Sequence, residues 1–112
     1  HSINRAAEYM ALSVDPHLTV CEVAAHAGLS VRSLQMGFRQ FKNTTPILFL
    51  REQRLDKARR LLNMEENVLT PKEIAYACGF TNYQSFCKYY SQKYFVHPSF
   101  IGLHLNSREI AK

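Results

Sequence analysis

Apolar residues recur along this chain at helical spacing, and a small set of caps and breakers divides them into segments. Ile3, Ala6, Ala7, Met10, Ala11 and Val14 form one stripe, which predicts an amphipathic helix over residues 3–14. Asp15-Pro16 ends it, because a residue before proline avoids the helical region. A second helix is predicted from Thr19 to about Ala27, opened by a capping box in which Thr19 and Glu22 bond each other's backbone N–H groups. Gly28 supplies a tight turn. Ser30 then caps a third helix to about Lys42, with Val31, Leu34, Phe38 and Phe41 turned inward. Another side of that helix carries Arg32, Gln35, Met36 and Arg39. Gly37 is costly in a helix interior, by about 1 kcal/mol relative to alanine, and is read as permitting close packing.

Thr45-Pro46 predicts the start of a long helix reaching Asn63, buried along Leu48, Leu55, Ala58 and Leu62. Beyond the polar linker Glu65-Glu66-Asn67, Thr70 and Glu73 form another capping box with proline between them, and Gly79 marks another turn. Thr81, with Gln84 three residues on, is the expected cap of a helix to about Lys93. Phe86 and Tyr90 point inward there, while Tyr83, Gln84, Cys87, Lys88 and Ser91 share another face. His97-Pro98 starts a last helix containing Phe100, Ile101, Leu103 and Leu105. The expected fold is therefore all-α, with seven helices.

These segments repeat. Thr19 to Ser30 returns 51 residues later as Thr70 to Thr81, with Thr, Glu, Ala and Gly held in place. The match continues with one added residue, so that Leu34, Phe38 and Pro46 correspond to Phe86, Tyr90 and Pro98. Each copy has the punctuation of two short helices joined by a glycine turn, the layout of a helix-turn-helix, which sets its second helix in a DNA major groove. The expected organisation is one such subdomain over residues 3–45, a linking helix over 46–63, and a second subdomain over 68–110.

Composition narrows the function classes. A formal net charge of +5 and a pI of about 9.3 favour an anionic partner. Arg51, Arg54, Lys57, Arg59 and Arg60 against Glu52 and Asp56 make the central helix the most basic stretch. Arg54 is expected to make structural hydrogen bonds or ion pairs between subdomains; Lys57, Arg59 and Arg60 are left to solvent. Cys21, Cys78 and Cys87 have no paired spacing, which argues against disulfides or zinc and fits a reducing cytoplasm. Cys21 and Cys78 are expected to pack as small hydrophobes. The five histidines are scattered, without metal-ligand spacing, and no cofactor is implied. No apolar stretch approaches the roughly 18–20 residues of a membrane span, and no signal peptide opens the chain. Glycine-rich phosphate loops, GxSxG and HExxH are absent, so catalysis is the weakest reading.

The chain resembles the DNA-binding domain of the AraC/XylS family of bacterial transcription regulators. The matching residues are Val23-Ala24, Gly28-Leu29-Ser30, Ser33-Leu34, Phe38, Pro46, Leu50-Arg51, Arg54-Leu55, Ala58-Arg59, Leu61-Leu62, Ile74-Ala75, Gly79-Phe80, Phe86 and Pro98. The resemblance implies two helix-turn-helix subdomains whose recognition helices enter successive major-groove segments of double-stranded DNA. It implies a regulator, expected to be an activator, with RNA polymerase as a partner. It also implies a sensory or dimerisation domain that these 112 residues do not contain.

Carried over by position, the base-reading candidates are Arg32, Gln35 and Met36, then Tyr83, Gln84, Cys87 and Lys88. Arg32 and Lys88 suit guanine, and Gln35 and Gln84 suit adenine, whereas Met36 offers only apolar contact, for instance to a thymine methyl. Phosphate contacts are expected at the helix starts around Ser30 and Thr81 and from Ser33, Arg39, Lys42, Asn82, Ser85 and Lys93. Met36, Tyr83 and Cys87 are weak hydrogen-bonding readers and motivate the alternative of a protein-interaction module. An apolar patch around Met36 and Tyr83 would favour that alternative, and one continuous positive surface containing Arg32 and Lys88 would favour DNA. Tyr89, Tyr90 and Tyr94 could stack on single strands, although Tyr90 replaces a core aromatic and is expected to pack.

Overall fold

A computed structural model describes residues 2–99 other than Val14 and Pro16. It contains six helices: α1 (Ser2–Leu12), α2 (Val20–Ala27), α3 (Val31–Lys42), α4 (Pro46–Leu62), α5 (Pro71–Ala77) and α6 (Tyr83–Tyr94). No strand occurs among the described residues. The expected seventh helix, with Phe100, Ile101, Leu103 and Leu105, lies outside them, although Pro98 and Ser99 are already helical. Two compact units divide the chain, His1–Arg54 and Leu55–Lys112, and the division falls inside α4.

The first unit packs α1, α2 and α3 around Ile3, Ala6, Ala7, Met10, Val23, Ala24, Ala27, Leu34 and Phe38, with Leu50 from α4. Small residues on α1 and α2 let these helices approach closely. Gly37 serves the same purpose on α3, because a Cβ there would lie 2.7 Å from Ile3 Cγ1 and closer still to Cδ1. α1 ends at Leu12, short of the expected Val14, which lies outside the described residues. Asp15 then accepts from the His17 N–H at 2.9 Å, an Asx-type turn. Arg54 Nη2 donates to the Asp15 carbonyl. The expectation that Arg54 bridges subdomains is thus corrected, since both residues belong to the first unit.

Phe41 and Leu48, both expected to be buried, are 56% and 41% exposed. α4 does not carry a single stripe. Pro46 and Leu50 are its buried residues in the first unit, whereas Leu55, Ala58 and Leu62 belong to the second core. Leu48 is in phase with Leu55, Ala58 and Leu62, but its turn of α4 lies in the first unit, where Pro46 and Leu50 are the buried positions. Leu50, five residues before Leu55, is out of that phase.

The second unit closes around Leu55, Ala58, Leu62, Ile74, Ala75, Cys78, Phe86 and Tyr90. Phe80 and Phe86 meet edge-on at 5.0 Å between centroids, and Phe86 and Tyr90 lie 5.5 Å apart. Cys78 is buried, as expected, and burial pushes its thiol pKa up. Cys21 is exposed, because it lies on the outer side of α2, away from Val23, Ala24 and Ala27. The Tyr90 hydroxyl is buried with no hydrogen-bond partner among the described residues, and burial pushes its pKa up to about 12.

Both short first helices end in the same way. Leu29 N–H bonds the Ala24 carbonyl at 2.8 Å and Phe80 N–H bonds Ala75 at 3.0 Å; Gly28 bonds Ala25 and Gly79 bonds Tyr76, each at 3.1 Å. This crossed pair requires a left-handed residue, supplied by Gly28 at φ 72° and Gly79 at φ 99°. The starts are less equal. Thr70 and Glu73 form a complete reciprocal box. At Thr19 the structure shows one half, the Glu22 N–H donating to the hydroxyl at 3.1 Å.

Candidate nucleic-acid interface

α3 and α6 are the second helices of the two repeats, and each begins with a polar side chain that accepts from the third residue of the helix. Ser30 Oγ accepts from the Ser33 N–H at 3.1 Å, and Asn82 Oδ1 accepts from the Ser85 N–H at 2.9 Å. A helix start leaves four N–H groups without intrahelical partners, so capping one leaves others for a bound anion, which the helix dipole also favours. At the far end both helices close on a left-handed residue, Asn43 at φ 55° and Phe95 at φ 62°. Caps and closures are each 52 residues apart, the offset reached after the added residue.

That offset corrects one expectation. Asn82, not Thr81, caps α6. The added residue falls in the turn after Gly79 and shifts the helix start by one position. Asparagine is at least as good a cap as threonine, so the shift carries no local penalty. Thr81 is exposed ahead of the cap.

On α3 the structure exposes Arg32, Gln35 and Met36, together with Ser33, Arg39 and Lys42 and the cap Ser30. These residues share one short helix and its cap, so the first group of candidates is brought together. On α6 the outcome divides. Gln84, Lys88, Asn82 and Ser85 are exposed. Tyr83 and Cys87 are half-buried against the second core, with the Tyr83 ring stacked on Phe86 at 6.1 Å. Burial, then the neighbouring Cys87 thiol, pushes the Tyr83 pKa up to about 12. Under the 52-residue offset Tyr83 corresponds to Val31, which likewise packs on its core. Gln84 and Lys88 therefore form the accessible part of the second group.

Lys93 is held inside the second unit. Its ammonium pairs with Asp56 at 3.1 Å and lies 5.5 Å from the Tyr94 ring centre. Tyr94 donates its hydroxyl to the same carboxylate, and the Arg59 guanidinium lies 4.9 Å from the Tyr94 ring centre. Burial alone would raise Asp56, but hydrogen bonds from Tyr94 and Lys93 and the charges of Lys93 and Arg60 hold it below the usual carboxylate range. Two side chains escaped the sequence reading: Gln40 and Gln92, both exposed, 52 residues apart, and one turn beyond Met36 and Lys88. The repeat itself was the signal that could have found them.

Other chemistry is sparse. An apolar groove of about 260 Å³ in the first unit, lined by Met10, Leu18, Thr19, Val20, Val23, Pro46, Ile47 and Leu50, contains no ionisable side chain. Among the described residues, no group of three or more His, Cys, Asp or Glu could hold a metal, and no helix is long and apolar enough to cross a membrane.

Comparison with known proteins agrees with this geometry. The family described as "Helix-turn-helix domain" matches residues 23–101. The chain is 38% identical over 98 residues to the "Probable thc operon regulatory protein" of Rhodococcus erythropolis, covering 87% of this chain and 30% of that protein. It is 36% identical over 76 residues to the "HTH-type transcriptional activator RhaS" of Salmonella arizonae, covering 68% of this chain and 27% of that protein. The chain thus spans less than a third of the length of these relatives. A transcriptional regulator from Chromobacterium violaceum, described as AraC-type and DNA-binding, superposes with a TM-score of 0.81 at 26% identity, covering 93% of this chain and 91% of that one. The paired caps, the crossed glycine turns and the matched residues place this chain in the AraC-type helix-turn-helix family of transcription-regulator domains.

Proposed function

We propose that this domain binds a specific site on double-stranded DNA, with α3 and α6 each reading bases in a major-groove segment. The observation that carries this reading is the doubled design of α3 and α6. Each has a capped start with spare N–H groups and an exposed set of long polar side chains, Arg32 and Gln35 on one, Gln84 and Lys88 on the other. Arg32 forks onto guanine O6 and N7, Gln35 and Gln84 pair with adenine N6 and N7, and Lys88 reaches guanine. Ser30, Ser33, Arg39 and Lys42 serve phosphates beside α3, and Asn82 and Ser85 do so beside α6. The domain works in the bacterial cytoplasm as part of a longer activator, with a sensory or dimerisation domain and RNA polymerase as further partners. The relative named as an activator supports activation, and the small share of the relatives' length that this chain spans supports a longer protein.

Selection of bound sites from a random duplex pool tests the reading. A preferred site is expected, with Arg32→Ala and Gln84→Ala relaxing preference at separate positions about 10 bp apart, one helical turn. With about 5–8 phosphates contacted, log K should fall against log[salt] with a slope near −5 to −7. A flat salt response, or a uniform loss of affinity in both variants with base preference unchanged, would overturn it.

A further inference from the structure

We propose that α3 contains a reader of pyrimidine C5-methyl groups, Met36, so that the first unit distinguishes a methylated pyrimidine from an unmethylated one. The inference rests on α3 acting as a base-reading helix. Met36 is 60% exposed. Methionine usually fills gaps in cores, where its flexible, polarisable thioether adapts to irregular surroundings. On α3 its neighbours at one helical turn are Arg32, Ser33, Arg39 and Gln40, and Gln35 precedes it; all five are polar and exposed.

That ring decides between two targets. A protein-docking surface needs contiguous apolar area, and none of these five neighbours extends the apolar spot. A single apolar side chain among cations and amides fits an apolar group embedded in a polar, anionic surface. The major groove displays one such group, the C5-methyl of thymine, among donors and acceptors that Arg32 and Gln35 can bond. 5-Methylcytosine carries the same methyl at the same ring position. The counterpart of Met36 in the second unit is Lys88, which makes this reader a property of the first unit.

The test uses a selected site in which each thymine is replaced in turn by deoxyuridine, a change that removes the methyl alone. One position is expected to weaken binding about fourfold, the effect of burying one methyl-sized group. Met36→Ala should abolish that sensitivity, and Met36→Leu should keep it. With cytosine at the same position, C5-methylation should restore affinity by a similar factor in the unsubstituted protein and not in Met36→Ala. A response to thymine without a response to 5-methylcytosine supports methyl reading with thymine as its source. Sensitivity that persists in Met36→Ala, or is missing from the unsubstituted protein, overturns the inference while DNA reading stands. Failure to recover any preferred site would instead remove the base-reading function, and this inference with it.

Discussion

Single residues show where this chain follows local rules and where it breaks them. Asn43 and Phe95 occupy the same closing position and the same left-handed conformation, yet only asparagine suits it. Phe95 is also 91% exposed, so its ring gains little from packing. Phe95→Gly is therefore expected to raise stability by about 1 kcal/mol, measured as a higher urea midpoint with an unchanged slope. A loss of stability would show that the ring has a packing role. Gly37 is the opposite case. The sequence marked it as misplaced, and the structure supplies the reason in the Ile3 side chain lying where a Cβ would go. Phe41 and Leu48 followed the apolar period and were still misplaced. At the edge of a stripe, periodicity does not say which residue faces the core.

At the scale of elements, caps and turns were the most legible features. Thr19, Gly28, Ser30, Thr70 and Gly79 act at the positions where their side chains or backbone freedom predict, because capping chemistry is local. The start of α6 was missed by one residue, since Thr81 and Asn82 are both acceptable caps and only the inserted turn chooses between them. Asn82→Ala is expected to destabilise the protein by about 1 kcal/mol and Thr81→Ala by a few tenths at most, read from denaturant midpoints. Equal effects would restore the earlier register. Tyr83 and Cys87 illustrate a deeper limit. Position within the motif placed them beside Gln84 and Lys88, but aromatic stacking on Phe86 and contact with the second core hold them half-buried, an outcome of packing across helices.

For the whole molecule, the repeat predicted two subdomains and a linking helix, and the structure divides into two compact units with the division inside α4. Their ionisable cores differ. Tyr83 and Tyr90, both raised to about 12, and Tyr94, raised by burial and by Asp56, all belong to the second unit. A group whose folded pKa exceeds its unfolded value stabilises fully below the unfolded value, about 10 for tyrosine, and that contribution fades as pH rises towards the folded one. Stability should therefore decline between about pH 10 and 12, with Tyr90→Phe reducing the decline. Thermal melts across that range, read with tyrosinate absorbance, check this; a melt indifferent to pH there would contradict it. The added residue between Gly79 and Asn82 has a final consequence. It gives the two sockets hinges of unequal length, so transplanting the side chains of α3 onto α6 would carry the vocabulary without the posture. A chimera that inherits base preference should need the hinge as well as the helix.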